Sequence, residues 1–219
     1  ISSFADAVVL AERDGDELSD LGPIPGKKGG GLIIKDTVIG SFGFELEEVI
    51  DSDQKPEEET RTAQALKQVG EILMNTQASD DELAQSISDV HPRVLRSLQS
   101  FLEHLAASGA TAAFQVNDHT FRFDQIAEIS RGAERLKTEN VKEDEDVIRG
   151  RFIGLLPKRR TFEFVKEGET ETLVGKVMKG LEDISIINNH LDAVTDVKFK
   201  VTRVGQGRPS YVLMEVPTW

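Results

Sequence analysis

Apolar residues near the start of the chain recur at helical spacing: Phe4, Ala7, Val8 and Ala11 lie three and four apart. That spacing predicts a short amphipathic helix capped by Ser2 or Ser3. A Gly-rich stretch from Asp14 to Gly31 follows, then two runs of β character, Leu32–Ile39 and Ser41–Val49, separated by Gly40. In the second run Phe42, Phe44 and Leu46 share one face by period-two alternation. Three helical patterns come next. The first opens at Pro56, where proline suits the first helical position and Glu57, Glu58 and Glu59 complement the positive end of the dipole. It runs through Ala63, Leu66, Val69 and Leu73. The second opens on Ser79-Asp80-Asp81-Glu82, a capping-box pattern. The third opens at Pro92, carries the stripe Leu95, Leu98, Leu102 and Leu105, and ends at Gly109 as a left-handed cap residue would end it. These three helices are expected to bury their stripes against one another and against the Phe42/Phe44/Leu46 face. Thr111–Val116 and His119–Phe123 read as a hairpin around Asn117-Asp118, and a last helix carries Ile126, Ile129, Ala133 and Leu136. Helices interspersed with antiparallel hairpins predict an α+β module and speak against a doubly wound parallel sheet.

From Val147 onward the period is two. Strands are predicted at Ile148–Leu156, Arg160–Val165, Thr172–Met178, Val194–Val204 and Ser210–Val216, with a short helix over Leu181–Leu191 carrying Ile184, Ile187 and Leu191. The corner Pro157-Lys158-Arg159-Arg160 joins the first two strands, and Gly205-Gln206-Gly207 joins the last two. Five strands with a helix between the third and fourth resemble, in order and length, a small oligonucleotide/oligosaccharide-binding (OB) barrel. A five-stranded SH3-like barrel is the alternative. The predicted fold is therefore α+β, with an acidic module over residues 1–142 and a small β-barrel over 143–219. The boundary is placed in the run Glu139–Asp146, which has one apolar residue in eight and is expected to be a solvated linker.

Charge supports that division. Residues 1–146 carry 14 Lys+Arg against 30 Asp+Glu, a balance of −16, whereas residues 147–219 carry 12 against 9, a balance of +3. Across all 219 residues the net charge is −13. Such an asymmetry often marks two modules with different surfaces. The summed field of the first module opposes an acidic ligand. The chain has no Cys, which excludes disulfides, thiolate nucleophiles and Cys-ligated zinc and fits a reducing compartment, with a cytoplasmic location expected. No apolar run approaches the roughly 18 residues of a membrane helix, so no membrane partner is expected. Ile1 in place of Met leads us to expect a preceding segment.

Candidate chemistry concentrates at the basic corner. Lys158, Arg159 and Arg160 lead into Phe162 and Phe164, which share the parity of Lys158 and Arg160, and Lys176 extends the patch. Cations followed by alternating rings suit a single-stranded nucleic acid, with charge for phosphate and rings for base stacking. The same parity equally suits rings filling the barrel interior. Other motifs fail on order or spacing. Lys27-Lys28 precede Gly29-Gly30-Gly31 instead of following a glycine loop into a helix, so no phosphate loop is predicted. His91, His104, His119 and His190 lie far apart, so no metal site is predicted. The Gly-x-Ser-x-Gly signature is absent and no catalytic residue is assigned. No cofactor is expected. The function expected first is non-catalytic binding: Glu57, Glu58, Asp80 and Asp81 of the acidic module engage a protein partner, and the barrel offers a second recognition surface. The first alternative is single-stranded nucleic-acid or nucleotide binding through the barrel. The second is an enzyme with a site at the module junction.

Overall fold

The structure, a computed structural model, describes residues 2–13, 18, 22, 32–38, 43–48, 60–116 and 119–219. In chain order its helices are α1 (Ser2–Ala11), α2 (Arg61–Asn75), α3 (Asp80–Ile87), α4 (Pro92–Ala107) and α5 (Ile126–Arg135). Its strands are β1 (Leu32–Val38), β2 (Gly43–Glu48), β3 (Ala112–Val116), β4 (His119–Phe123), β5 (Val141–Leu156), β6 (Thr161–Lys166), β7 (Thr172–Val177), β8 (Thr195–Val204) and β9 (Ser210–Leu213). A 3₁₀ helix spans Ile184–Asn189. The chain forms two compact units, one of Ile1–Met74 with His91–Ala133, the other of Asn75–Val90 with Glu134–Trp219. The fold is α+β, as the sequence pattern predicts.

Local chemistry sets the helix ends. Ser79 Oγ accepts the Glu82 N–H at 3.2 Å while Glu82 Oε2 accepts the Ser79 N–H at 3.0 Å, so the capping box opens α3. Pro92 is the first residue of α4, and His91 Nδ1 accepts the Arg93 N–H at 3.2 Å. At the other end Gly109 takes φ +61°, and the N–H groups of Gly109 and Ala110 donate to the carbonyls of Ala106 and Leu105. That pair of bonds is a Schellman motif. Helix α2 spans Arg61–Asn75, and Thr60 caps its start: its Oγ1 accepts the Ala63 N–H at 3.1 Å. Pro56, Glu57, Glu58, the glycine loop, Phe42 and Asn117-Asp118 lie outside the described residues, as do the side chains of Phe44 and Leu46.

In the first unit α1 packs on α4, and the antiparallel hairpin β3–β4 adds its rings. Phe4 lies 5.4 Å from Phe101 and 5.8 Å from Phe114 between ring centroids. Leu98 and Leu102 are buried and Leu105 half-buried, as their stripe predicts. On α5, Ile129 and Ala133 are buried but Ile126 is exposed, so the predicted stripe begins one turn late.

In the second unit the five strands close in the order β5-β6-β7-β9-β8, with β8 returning to β5. Pairing is antiparallel except for β7 with β9, which run parallel. The third barrel strand thus lies beside the fifth, a Greek-key closure of the OB kind, not a meander. Phe152, Phe162, Phe164 and Phe199 fill the interior with Leu155, Val177, Val197 and Leu213. Strand β5 serves two neighbours: residues 141–150 pair with β8 and residues 150–156 with β6. Gly150 sits where it changes partner. A Cβ there would lie 2.3 Å from the Val165 carbonyl and 2.5 Å from the Phe164 ring, so only glycine allows the strand to turn so close.

Two expectations about organisation need correction. Residues 141–146 are not a linker but the first part of β5, laddered to β8. Their like charges are tolerated because lysines of β8 lie diagonally across: Lys200 Nζ is 2.8 Å from Glu143 and Lys198 Nζ is 2.8 Å from Glu145. Helix α3 belongs to the second unit, not to the unit of α1 and α4, and within it lies against β8 and β9. Leu83, Ala84 and Ile87 form its buried face. Thr202, Val204 and Val212 are also buried, although their parity points them away from the core residues Phe199, Val201 and Leu213.

Candidate functional site

The basic corner is built by a four-residue connection between Leu156 and Thr161, which face each other across the β5–β6 ladder. Arg160 adopts φ +51°, uncommon for a residue with a side chain. Its backbone carbonyl accepts the Val177 N–H at 2.8 Å. Its Nη2 donates to the Leu181 carbonyl at 3.0 Å and also to that of Met178. The guanidinium therefore ties the corner to the segment after β7. Lys158 and Arg159 are exposed.

The rings take the second of their two predicted places. Phe162 and Phe164 are buried in the barrel, each 5.3 Å from the Phe199 centroid. Base stacking by either is therefore corrected: their β6 positions alternate inward with Thr161 and Glu163 outward, and the small barrel needs large residues inside. Lys176 also faces outward, and its Nζ lies 2.7 Å from Asp89 Oδ1, an ion pair in which both side chains are mostly buried. Asp89 belongs to the turn after α3, so the extended patch is answered from within the same unit.

The acids assigned to a partner also bond within this unit. Asp80 Oδ1 accepts from Arg135 Nη2 at 2.8 Å. Asp81 Oδ1 accepts the backbone N–H of Arg208 at 2.6 Å. Gly205 and Gly207 let the β8–β9 loop come this close, since a Cβ on either would lie 2.7 Å from an Asp80 atom. In OB barrels the loop between the last two strands is part of the usual ligand surface. Here the start of α3 occupies it. Arg135 is a residue that sequence patterning does not single out: its Nη1 also donates to the carbonyls of Thr76 at 2.6 Å and Ala78 at 2.8 Å.

One further surface escapes the sequence reading. Residues 142–147 are all exposed, and five of the six are charged. The signal is present in the sequence as alternation: Glu143 and Glu145 share a parity, as do Lys198 and Lys200, and each set neutralises the other once the strands pair. Lys198 is held above the usual lysine range, chiefly by its hydrogen bond to Glu145 and then by that carboxylate's charge. Asp144 and Asp146 lie on the other sheet face, with no ion pair among the described residues.

Among the described residues no cluster of three or more His, Asp and Glu is placed to hold a metal ion, and no helix is long and apolar enough to cross a membrane. No protein-family model, curated protein or solved structure matches this chain.

Proposed function

We propose that the chain is a non-catalytic binding protein of a reducing compartment such as the cytoplasm, and that it recognises a protein partner through its barrel unit. The observation that carries this is the segment Lys142–Val147: an exposed strand, laddered to β8 and to no other strand among the described residues. Backbone groups on a strand edge offer affinity to another chain without requiring a pocket. The chain's own contacts argue for protein over nucleic acid. The rings that would stack on bases are inside the barrel, Lys176 is paired with Asp89, and Arg160 donates to carbonyls. Lys158 and Arg159 remain as exposed cations, but the adjoining outer face of β6 and β7 presents Glu163 and Val174.

The test runs the full chain against two panels. One is an array of extended peptides of acidic, basic and neutral composition; the other is labelled single-stranded oligonucleotides followed by anisotropy at low salt. Saturable capture of a peptide class, without oligonucleotide binding, is the expected result. Tight, salt-sensitive oligonucleotide binding with no peptide capture would overturn the proposal in favour of nucleic-acid recognition.

A further inference from the structure

The free side of β5 is a bounded slot. In an antiparallel ladder successive residues direct their N–H and C=O alternately to one neighbour and the other. The Asn140 carbonyl accepts the Gly205 N–H at 2.9 Å, in line with the β8 ladder, so even-numbered residues here face β8. Odd-numbered residues face the opposite way. Val141 donates there to the Lys137 carbonyl at 3.1 Å, and the Arg149 carbonyl accepts the Glu167 N–H at 2.9 Å. Between those two closed ends, Glu143, Glu145 and Val147 present their N–H and C=O groups to the open edge. No strand pairs with them there among the described residues. At about 3.3 Å per residue, the span from 141 to 149 is roughly 26 Å, room for a strand of ordinary length.

Charge decides what fits. Proteins commonly guard an edge with charge; on the face of Asp144 and Asp146 this guard begins with Lys142, which has Arg203 across the ladder. Glu143 and Glu145 are answered by Lys200 and Lys198, whereas Asp144 and Asp146 on the other face are not paired among the described residues. A second copy of the same edge would set acid against acid, which disfavours self-pairing.

We infer that the open edge of β5 takes an extended, cationic segment of a protein partner, which pairs backbone to backbone with Glu143, Glu145 and Val147 and sets Lys or Arg across from Asp144 and Asp146. This rests on the proposal that the chain binds proteins. It names the site, the backbone mode and the charge of the partner.

The probe is an acetylated, amidated peptide of alternating Thr and Lys, with an alternating Thr–Glu peptide as its control, titrated against the full chain. The Thr–Lys peptide should bind, and amide exchange should slow at Glu143, Glu145 and Val147. Two variants separate charge from backbone pairing. Asp144→Lys with Asp146→Lys reverses the unpaired acids and leaves Glu143 and Glu145 on their lysines. Val147→Pro removes one edge N–H; proline is tolerated where that N–H faces solvent, and it favours an extended residue before it. Each should weaken binding by about tenfold or more, the scale of one lost interaction of ordinary size. Thermal melts followed by Trp219 fluorescence check that each variant is folded.

If only the charge reversal weakens binding and Val147→Pro binds like the parent, the attraction is diffuse and strand addition is wrong. Protection that appears elsewhere refutes the site. If the chain captures other peptides but not Thr–Lys, this inference falls while the protein-binding proposal stands. If it captures none, both fall.

Discussion

Replacing Arg135 tests how α3 is held on the barrel. The side chain is 16% exposed and donates to the Thr76 carbonyl, the Ala78 carbonyl and Asp80 Oδ1 at 2.6, 2.8 and 2.8 Å. Arg135→Met keeps most of the aliphatic stem and removes every donor. A hydrogen bond from a charged donor contributes about 1.5–3 kcal/mol. The three cannot simply be added, because they share one guanidinium and Asp80 is 39% exposed, where solvent screens its share. An overall loss of about 3 kcal/mol is expected. For a unit of about one hundred residues that lowers Tm by roughly 15 °C. Trp219, the single tryptophan, reports on this unit directly, since its indole stacks on His190 at 4.2 Å. Arg151→Met is the control: its partner Asp192 is 3.9 Å away and the two side chains are 49% and 68% exposed, so it should change stability by no more than about 0.5 kcal/mol. Should Arg135→Met melt within about 3 °C of the parent, or no lower than Arg151→Met, the guanidinium does not hold α3. Its apolar face, Leu83, Ala84 and Ile87, would then account for its place on the barrel alone.

Three further outcomes are expected. Leu102→Ala, at a fully buried position of α4, should cost about 2–5 kcal/mol by urea unfolding followed by far-UV circular dichroism; a loss under about 1 kcal/mol would mean the stripe is not core. Gly150→Ala should destabilise the barrel by more than the roughly 1–3 kcal/mol of ordinary overpacking, because the new Cβ meets backbone as well as a flexible ring; a parent-like Trp219 melt would contradict the turn described for β5. Ser79→Ala should cost about 0.5–2 kcal/mol as a lost cap. Glu82 is held below the ordinary carboxylate range, chiefly by the Ser79 hydroxyl and then by the Ser79 backbone N–H. Its contribution is therefore complete above the unfolded value near 4.3 and is lost as pH falls through the lower folded value. Urea midpoints measured at a series of acidic pH values should show that loss shrinking in Ser79→Ala, and an unchanged slope would refute the linkage.

Features with a local cause are legible in the amino-acid sequence alone. The capping box at Ser79, proline at the head of α4, the left-handed glycine at 109 and the alternating apolar positions of five barrel strands each follow from neighbours within a few residues. The element order also carries the barrel, because five short strands with a helical turn after the third have few ways to close. Parity could not decide the candidate site. Alternation places Phe162 and Phe164 on one face, but only closure of the barrel makes that face the inside. Composition misleads at residues 141–146 for a related reason. Five adjacent charges cannot pack among themselves, yet they form a strand once Lys198 and Lys200, more than fifty residues later, supply the opposite sign across the ladder.

Tertiary structure also decided where α3 goes and what its acids do. Its amphipathic stripe specifies an apolar neighbour without naming one, and the neighbour proves to be the outer face of β8 and β9. Asp80 and Asp81 then meet Arg135 and the Arg208 N–H, partners brought near only by the fold. The open edge of β5 has the same origin. A run of residues shows that it can be a strand, but whether both of its edges are taken depends on how far the neighbouring strands extend, because backbone pairing is set by distant segments meeting in register and not by any spacing within the run.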